Sequence, residues 1–408
     1  MKELELYVHI PFCRKKCNYC DFVSFADCLH LTDRYVSALC REITQAAAYY
    51  KDREIVSVYI GGGTPSILNC GQMEKILDCL NTSFRLKGSR EKRRGLFLQK
   101  KIRPSLEFSI EVNPESADRE KLKLYRSHGI NRLSIGLQST DDKDLKMLGR
   151  VHSLQDFTKV FEEAREAGFD NINIDLMQAI PGQTLPAWRK VLALAGSFRP
   201  EHISAYSLMI EEGTAFHTLK KEGKLQLPDE DTEREIYYDT RDFLEKTGYH
   251  RYEISNYALP GFECAHNCGY WKRTDYLGLG LHASSMVSNT RWKNTADLMA
   301  YLEAMENFSG ISETEKPFRI PGVSEPPEVL SRQEQMEEFM FLGLRMTEGV
   351  SKKGFFGEFG QDLEYTYADV LPRLRSMELI ASEGDRIFLT DRGLDVSNPV
   401  LAEFVKVS

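Results

Sequence analysis

The chain has 408 residues, 42% of them hydrophobic, and a formal net charge of −8. That is more than one core usually absorbs, so a large domain and at least one smaller one are expected. The acidic balance argues against a protein built mainly to coat nucleic acid. The N-terminus, Met1-Lys-Glu-Leu-Glu-Leu, has no apolar stretch of signal-peptide length. Runs such as Val191-Leu-Ala-Leu-Ala fall far short of the ~20 residues a bilayer span needs. A soluble, cytoplasmic protein is expected, with peripheral membrane contact still allowed.

In chain order, Leu4–Ile10 reads as a strand, and Thr32 or Asp33 caps a helix running through Tyr49. Ile55–Ile60 is a second strand, broken by Gly61-Gly62-Gly63 and followed by helical patterning over Gln72–Phe84. Leu106–Val112, Arg132–Gln138, Asn171–Met177 and Ile203–Met209 read as further strands. Helices are expected between them at Ala117–His128, Asp141–Leu148, Leu154–Ala167 and onward from Leu185. Regular βα alternation means parallel strands with helices outside them. Periodicity alone does not separate an open doubly wound sheet from a partial barrel. In either, the loops at the carboxyl ends of the strands build the site.

Two stretches interrupt this pattern. Lys87–Arg103 is rich in Lys and Arg and reads as a solvated surface insertion. Ser309–Pro327 carries Gly, Ser, Glu and several prolines and reads as a linker. Beyond it, Ser331–Ser408 is mainly helical, with a strand pair near Leu379–Leu389 and a winged-helix outline as one option.

There are nine cysteines, and an odd number in a chain of intracellular character does not suggest a disulfide framework. Cys28, Cys40, Cys70 and Cys79 fall in or beside helical patterns and read as ordinary thiols, while Cys264 and Cys268 form a late pair. The segment Cys13-Arg-Lys-Lys-Cys17-Asn-Tyr-Cys20 is different. Three thiolates at CxxxCxxC spacing can each bind one iron of a cubane, which leaves the fourth iron open to a chelating ligand. Structural zinc, with His9 or His30 as a fourth ligand, is the competing reading, although neither spacing fits a familiar finger. Three unrelated thiols are the other.

This spacing is the signature of the radical S-adenosylmethionine (SAM) superfamily, and Gly61-Gly-Gly-Thr-Pro65 after the second strand resembles its glycine-rich SAM loop. Longer words resemble the oxygen-independent coproporphyrinogen III oxidase family. They are Tyr7-Val-His-Ile-Pro-Phe-Cys13, Ser134-Ile-Gly-Leu-Gln-Ser139, Asn173-Ile-Asp-Leu-Met177, Tyr252-Glu-Ile-Ser-Asn-Tyr257, His266-Asn-Cys-Gly-Tyr-Trp271 and Phe339-Met-Phe-Leu-Gly-Leu-Arg345. Where the true oxidase has Gly and a fourth cysteine after its third, this chain has Asp21-Phe22. It also lacks the oxidase's long segment before the cysteines. Both departures resemble the HemW-like heme chaperone branch.

The resemblance implies a partial (β/α)6 radical SAM barrel over 1–245, an extension with the His266 loop over 246–308, a linker over 309–330 and a smaller helical C-terminal domain over 331–408. It implies a [4Fe–4S] cluster on Cys13, Cys17 and Cys20, and SAM held by Tyr7, Gly63, Thr64, Glu111, Gln138, Arg150 and Asp175. His266 is a candidate heme contact, and Tyr270 and Trp271 could stack on a porphyrin. The expected function is a heme chaperone that binds heme, the cluster and SAM and delivers heme to acceptor proteins, respiratory enzymes among them, as a monomer or homodimer. The alternative is oxidative decarboxylation of coproporphyrinogen III to protoporphyrinogen IX. Whether SAM is cleaved or only bound, and so whether the protein is an enzyme, stays open at this point.

Overall fold

The computed structural model describes residues 2–86, 106–310 and 318–405; the basic insertion lies outside them. Six parallel strands lie side by side in chain order: β1 (Glu3–Ile10), β2 (Glu54–Gly62), β3 (Glu107–Val112), β4 (Arg132–Gln138), β5 (Ile172–Gln178) and β6 (His202–Ser207). A doubly wound sheet requires a reversal of strand order, and none occurs among these six. Right-handed crossovers in an unreversed order put the connecting helices on one face and leave the other face free. This is the winding of a barrel, and it settles the ambiguity in favour of a radical SAM-type partial barrel.

The connecting helices are α1 (Thr32–Tyr49), α2 (Cys70–Ser83), α3 (Arg119–Ser127), α4 (Asp142–Met147), α5 (Leu154–Glu166) and α6 (Leu185–Ser197). Local chemistry sets their starts. Asn69 and Gln72 form a reciprocal capping box on α2, Asp118 caps α3, Ser153 and Asp156 box α5, and Thr184 caps α6 with Pro186 in its first turn. After β6 come α7 (Ala215–Lys221) and α8 (Glu230–Lys246).

Every strand alternates, and the two sets of residues go to opposite faces. One set is apolar and buried against the helices: Leu6 and Val8, Val58 and Ile60, Phe108 and Ile110, Leu133 and Ile135, Ile172 and Ile174. The other set is largely polar. Parallel register aligns Tyr7 with Tyr59, Tyr59 with Ser109, Ser109 with Arg132, Glu111 with Ser134, Ser134 with Asn173, and Asp175 with Ser204. The core is therefore a shell between strands and helices, and the concave face is polar.

The chain then returns to both edges of the sheet. The short β7 (His250–Arg251) and β8 (Asn256–Ala258) extend it beyond β6. Helix α9 (Ala265–Trp271) leads into β9 (Tyr276–Leu279), which pairs in parallel with β1, and β10 (Ser284–Val287) and β11 (Thr290–Lys293) follow as a hairpin. After α10 (Leu298–Asn307), the edge strand β12 (Glu328–Val329) completes a twelve-stranded sheet. The stretch read from sequence as a linker is anchored over its described part. Phe318, Ile320 and Val323 are buried in the main core, because the apolar residues between the prolines and glycines find a place against α1 and α10.

Beyond β12, α11 (Arg332–Gly343), β13 (Val350–Ser351), α12 (Lys352–Phe359), α13 (Leu363–Thr366) and α14 (Leu371–Ser376) precede β14 (Ile380–Glu383) and β15 (Arg386–Leu389). The strands form a three-stranded antiparallel sheet in the order β13-β15-β14, so the strand pair expected near Leu379–Leu389 is present. This C-terminal region has its own core, including Met340, Phe355, Phe359, Tyr367 and Leu374. No helix among the described residues is long and apolar enough to cross a membrane.

Candidate functional site

The loop after β1 carries the three cysteines, and the fold ties it down at several points. Cys13 N donates to Phe25 O at 3.0 Å, Asn18 N to Leu148 O at 3.0 Å, and Phe216 N to Asn18 O at 2.9 Å. Asn18 Nδ2 also donates to Met147 O at 2.7 Å, so the loop is held by the ends of α4 and α7. The glycine-rich loop after β2 packs directly against it. Gly63 N donates to Ile10 O at 2.9 Å and Thr64 N to Phe12 O at 2.8 Å, while Thr64 Oγ1 lies 3.5 Å from Cys13 Sγ. A Cβ at position 63 would lie 2.8 Å from Phe12 O and 3.0 Å from Cys13 Sγ, so the close approach admits only glycine.

These loops open onto one cavity of about 320 Å³ at the carboxyl ends of the strands. Cys13, Cys17 and Cys20 line it together with Gly63, Thr64, Glu111, Gln138, Arg150 and Asp175. The structure thus brings together every expected cluster and SAM residue except Tyr7. The Tyr7 side chain stacks behind Tyr59 with ring centroids 6.4 Å apart, and it lines a neighbouring cavity.

The cavity's ends differ in charge. Lys15 and Lys16 line it beside the thiols, and Glu111 and Asp175 line it from the strands. Glu111 Oε2 accepts from Gly62 N at 3.0 Å and Oε1 from Tyr59 Oη at 3.1 Å. Burial, reinforced by the Asp175 charge, pushes its carboxyl up to about 7. Asp175 is raised as well by burial, while Asn173 Nδ2 at 2.8 Å and Ser134 Oγ at 3.0 Å donate to it and oppose the shift. Arg150 spans from the cluster loop to β4: its guanidinium meets Cys17 Sγ at 3.6 Å, Asn113 Oδ1 at 2.6 Å and Gly136 O at 3.1 Å. Gln138 sits at a register shift with φ of 67°, and this kink ends β4 beside the cavity.

The donor set fits an iron–sulfur cluster with one iron left open. Three sulfurs face one cavity, no fourth cysteine lines it, and burial raises the Cys13 thiol and pushes Cys20 up to about 11. A bound cation displaces such protons, so metal binding and thiol ionisation go together.

His266 lies deeper, 1% exposed, at the foot of the inner face. Its Nδ1 lies 2.7 Å from Ser57 Oγ, its Nε2 lies 2.9 Å from Tyr270 Oη, and its ring stacks on Tyr59. Burial lowers its pKa to about 3. Both ring nitrogens are engaged, so a heme contact through His266 would require one of these two bonds to open. Instead α9 distributes its residues: Asn267 lines the cavity with the cysteines, while Tyr270 and Trp271 line the neighbouring one.

Sequence reasoning missed Tyr59, Asn113, Arg132, Ser134, Asn173, Ser204, Tyr206 and Asn267, all of which line the cavity. Most were available by counting back and forth in twos from Glu111 and Asp175 and carrying the same face to the next strand. Asn113 and Asn267 gave no such signal.

The radical SAM superfamily model matches residues 7–195, and the HemN C-terminal domain model matches residues 330–396. Heme chaperone HemW of Bacillus subtilis (strain 168) is 37% identical over 402 residues, covering 98% of each chain. Heme chaperone HemW of Escherichia coli (strain K12) is 34% identical over 328 residues, covering 77% of this chain and 80% of the relative. Among solved structures, the coproporphyrinogen III oxidase HemN from Escherichia coli, a radical SAM enzyme, superposes with a TM-score of 0.80 over 99% of this chain and 90% of its own. At 23% identity that likeness shows the shared fold. This chain therefore belongs to the HemW family of radical SAM proteins.

Proposed function

We propose that this protein is a heme chaperone: it binds heme, a [4Fe–4S] cluster and SAM, and delivers heme to acceptor proteins in the cytoplasm, respiratory enzymes among them. The observation that carries the reading is the 37% identity to Heme chaperone HemW of Bacillus subtilis along 98% of both chains. The convergence of three cysteines, two carboxylates and Arg150 on one cavity supports its cofactor part.

Cys13, Cys17 and Cys20 would hold the cluster. When bound, it supplies an open iron for the amino and carboxylate groups of SAM and a source of one electron. The protein's own groups do the positioning. Glu111, already aimed by Tyr59 and Gly62, would accept hydrogen bonds from the SAM amino group. Asp175 and Gln138, on the same cavity, would meet the ribose hydroxyls. Arg150 holds the cluster loop against β4 and presents positive charge toward the SAM carboxylate. The polar wall from Tyr59 to Ser204 orders the rest of the ligand.

The test is anaerobic reconstitution, titration with hemin, and assay of the same sample with coproporphyrinogen III, SAM and a reductant. Stoichiometric heme retention without protoporphyrinogen product is expected. Decarboxylated product at multiple turnovers would make the protein an oxidase.

A further inference from the structure

Helices α1 and α2 lead out of the two loops that build the cofactor cavity. The first follows the three-cysteine loop, and the second follows Gly61-Gly-Gly-Thr-Pro65. They pack against one another on the outer face of the sheet. Cys40, in the middle of α1, and Cys79, near the end of α2, meet across this contact. Read singly in the sequence, each is an ordinary thiol; the helix packing makes them a pair. Cys79 Sγ lies 3.3 Å from Cys40 O and 3.6 Å from Thr44 Oγ1, one turn further along α1. Cys40 Sγ lies 3.7 Å from Lys75 O of α2. Each sulfur thus reaches the backbone of the opposite helix beside the other cysteine, and the two thiols hydrogen-bond each other. Both residues are half-buried at the protein surface, within reach of a small reagent.

The two thiols are not equivalent. The hydrogen bond from Cys40, together with the hydroxyls of Thr44 and of Ser83 at 3.9 Å, favours ionisation of Cys79 and lowers its pKa against the opposing effect of burial. The same shared proton, reinforced by burial, raises Cys40. A thiolate beside a protonated thiol is the arrangement in which one sulfur attacks an oxidant and the other resolves the product.

We propose that Cys40 and Cys79 form a reversible disulfide that ties α1 to α2, with a peroxide as the oxidant. The Cys79 thiolate attacks one peroxide oxygen: the S–O bond forms, the O–O bond breaks, and the released hydroxide takes up a proton. The Cys40 sulfur, giving up its proton, then displaces water from the Cys79 sulfenic acid as the S–S bond forms. Two thiols and one hydrogen peroxide give one disulfide and two waters, and a dithiol reductant reverses the reaction by exchange. The bond closes a ring of chain that contains β2 and the glycine-rich loop, so oxidation restrains that loop without altering a residue of the cavity. The pair stands apart from the cluster cysteines, and the inference does not depend on the heme reading.

The experiment treats the full, cluster-loaded protein with one equivalent of hydrogen peroxide under anaerobic conditions. Remaining thiols are blocked with N-ethylmaleimide, and tryptic peptides are mapped by mass spectrometry without reduction. Trypsin releases residues 35–41 and 76–85, each with a single cysteine, so the pair gives one unambiguous joined mass. We expect that mass in the wild type, and its loss on treatment with dithiothreitol and in Cys79→Ser. Cys40→Ser should instead leave Cys79 as a sulfenic acid that dimedone traps. Iron and sulfide content before oxidation should match the wild type in both variants. At pH 7, iodoacetamide should alkylate Cys79 at least tenfold faster than Cys70, whose thiol is raised by burial and by Glu120 and Asp118. A wild-type digest with no joined peptide overturns the proposal, and equal alkylation of Cys79 and Cys70 overturns Cys79 as the attacking sulfur.

Discussion

Glu107 Oε2 accepts a hydrogen bond from the backbone N–H of Ala265 at 2.8 Å, across 158 residues of chain. The other carboxylate oxygen lies 3.3 Å from both His266 N and Cys264 Sγ. Helix α9 has no side-chain cap of its own, so a strand residue performs the capping and fixes the helix against the inner face of the sheet. Removing it should loosen both cavities together. Glu107→Ala should lower stability by about 1–3 kcal/mol, the usual cost of stranding buried donors. Chemical denaturation of the apo protein checks this, and a loss below about 0.5 kcal/mol would mean that α9 is held by its packing alone.

The cluster assignment predicts that Cys17→Ala abolishes the broad visible absorption and most of the bound iron after anaerobic reconstitution. Iron and sulfide analysis is the decisive readout. Full retention in this variant would return the three thiols to an unrelated role.

Gly63→Ala separates loop geometry from ligand chemistry. The added methyl meets Phe12 O and Cys13 Sγ within 3.0 Å, so the two loops must part. SAM affinity should drop by at least tenfold, with a stability cost of about 1–3 kcal/mol. Isothermal titration of the cluster-loaded protein would show it, and wild-type SAM affinity would contradict the close packing of the two loops.

Glu111 gives a pH signature. Its folded value, about 7, stands above its ordinary 4.5, so the apo protein keeps a proton there that the unfolded chain releases. The stability this group contributes is full below about pH 4.5 and is lost as pH rises through about 7. SAM binding runs the other way, because an amino N–H donor is met best by the ionised carboxylate. SAM affinity should rise from pH 6 to pH 8, and Glu111→Gln should flatten that rise and weaken binding about tenfold or more at pH 8. Parallel pH profiles for the wild type and the variant would remove Glu111 from contact with the ligand.

His266→Gln should leave the hemin Soret band in place. Its ring nitrogens already face Ser57 and Tyr270. The expected effect is lost stability, about 1–3 kcal/mol, from breaking a buried hydrogen-bonded stack. A shifted Soret band with unchanged melting would instead make His266 an iron ligand.

The placement of the cluster cysteines, Gly63 and Glu111 was legible because each stands at or just beyond the end of a strand whose βα punctuation is clear, and that of Asp175 because alternation along β5 sets its face. The barrel winding was not, since a strand's neighbours are set by non-local pairing. Tyr7 illustrates the limit: alternation places it on the inner face beside Tyr59, but the neighbouring cavity it lines is built partly by β9, and Tyr276–Leu279 is too short to announce itself. His266 shows a related limit. A histidine in a polar-aromatic motif looks like a ligand until Ser57, more than two hundred residues earlier, is found holding it. The 318–323 segment carried linker composition, yet its apolar side chains decided its fate.

The polar concave face also has a cost that falls outside ligand binding. Arg132, Asn173, His202 and Ser204 are buried charge and hydrogen-bonding capacity that an apolar lining would not have to desolvate. Replacing this hydrogen-bonded set together by apolar residues of the same shape should therefore raise the melting temperature of the apo protein while emptying it of use. Selection for thermal robustness alone would drive this chain toward an inert barrel, so its stability is bounded by what the hollow must hold.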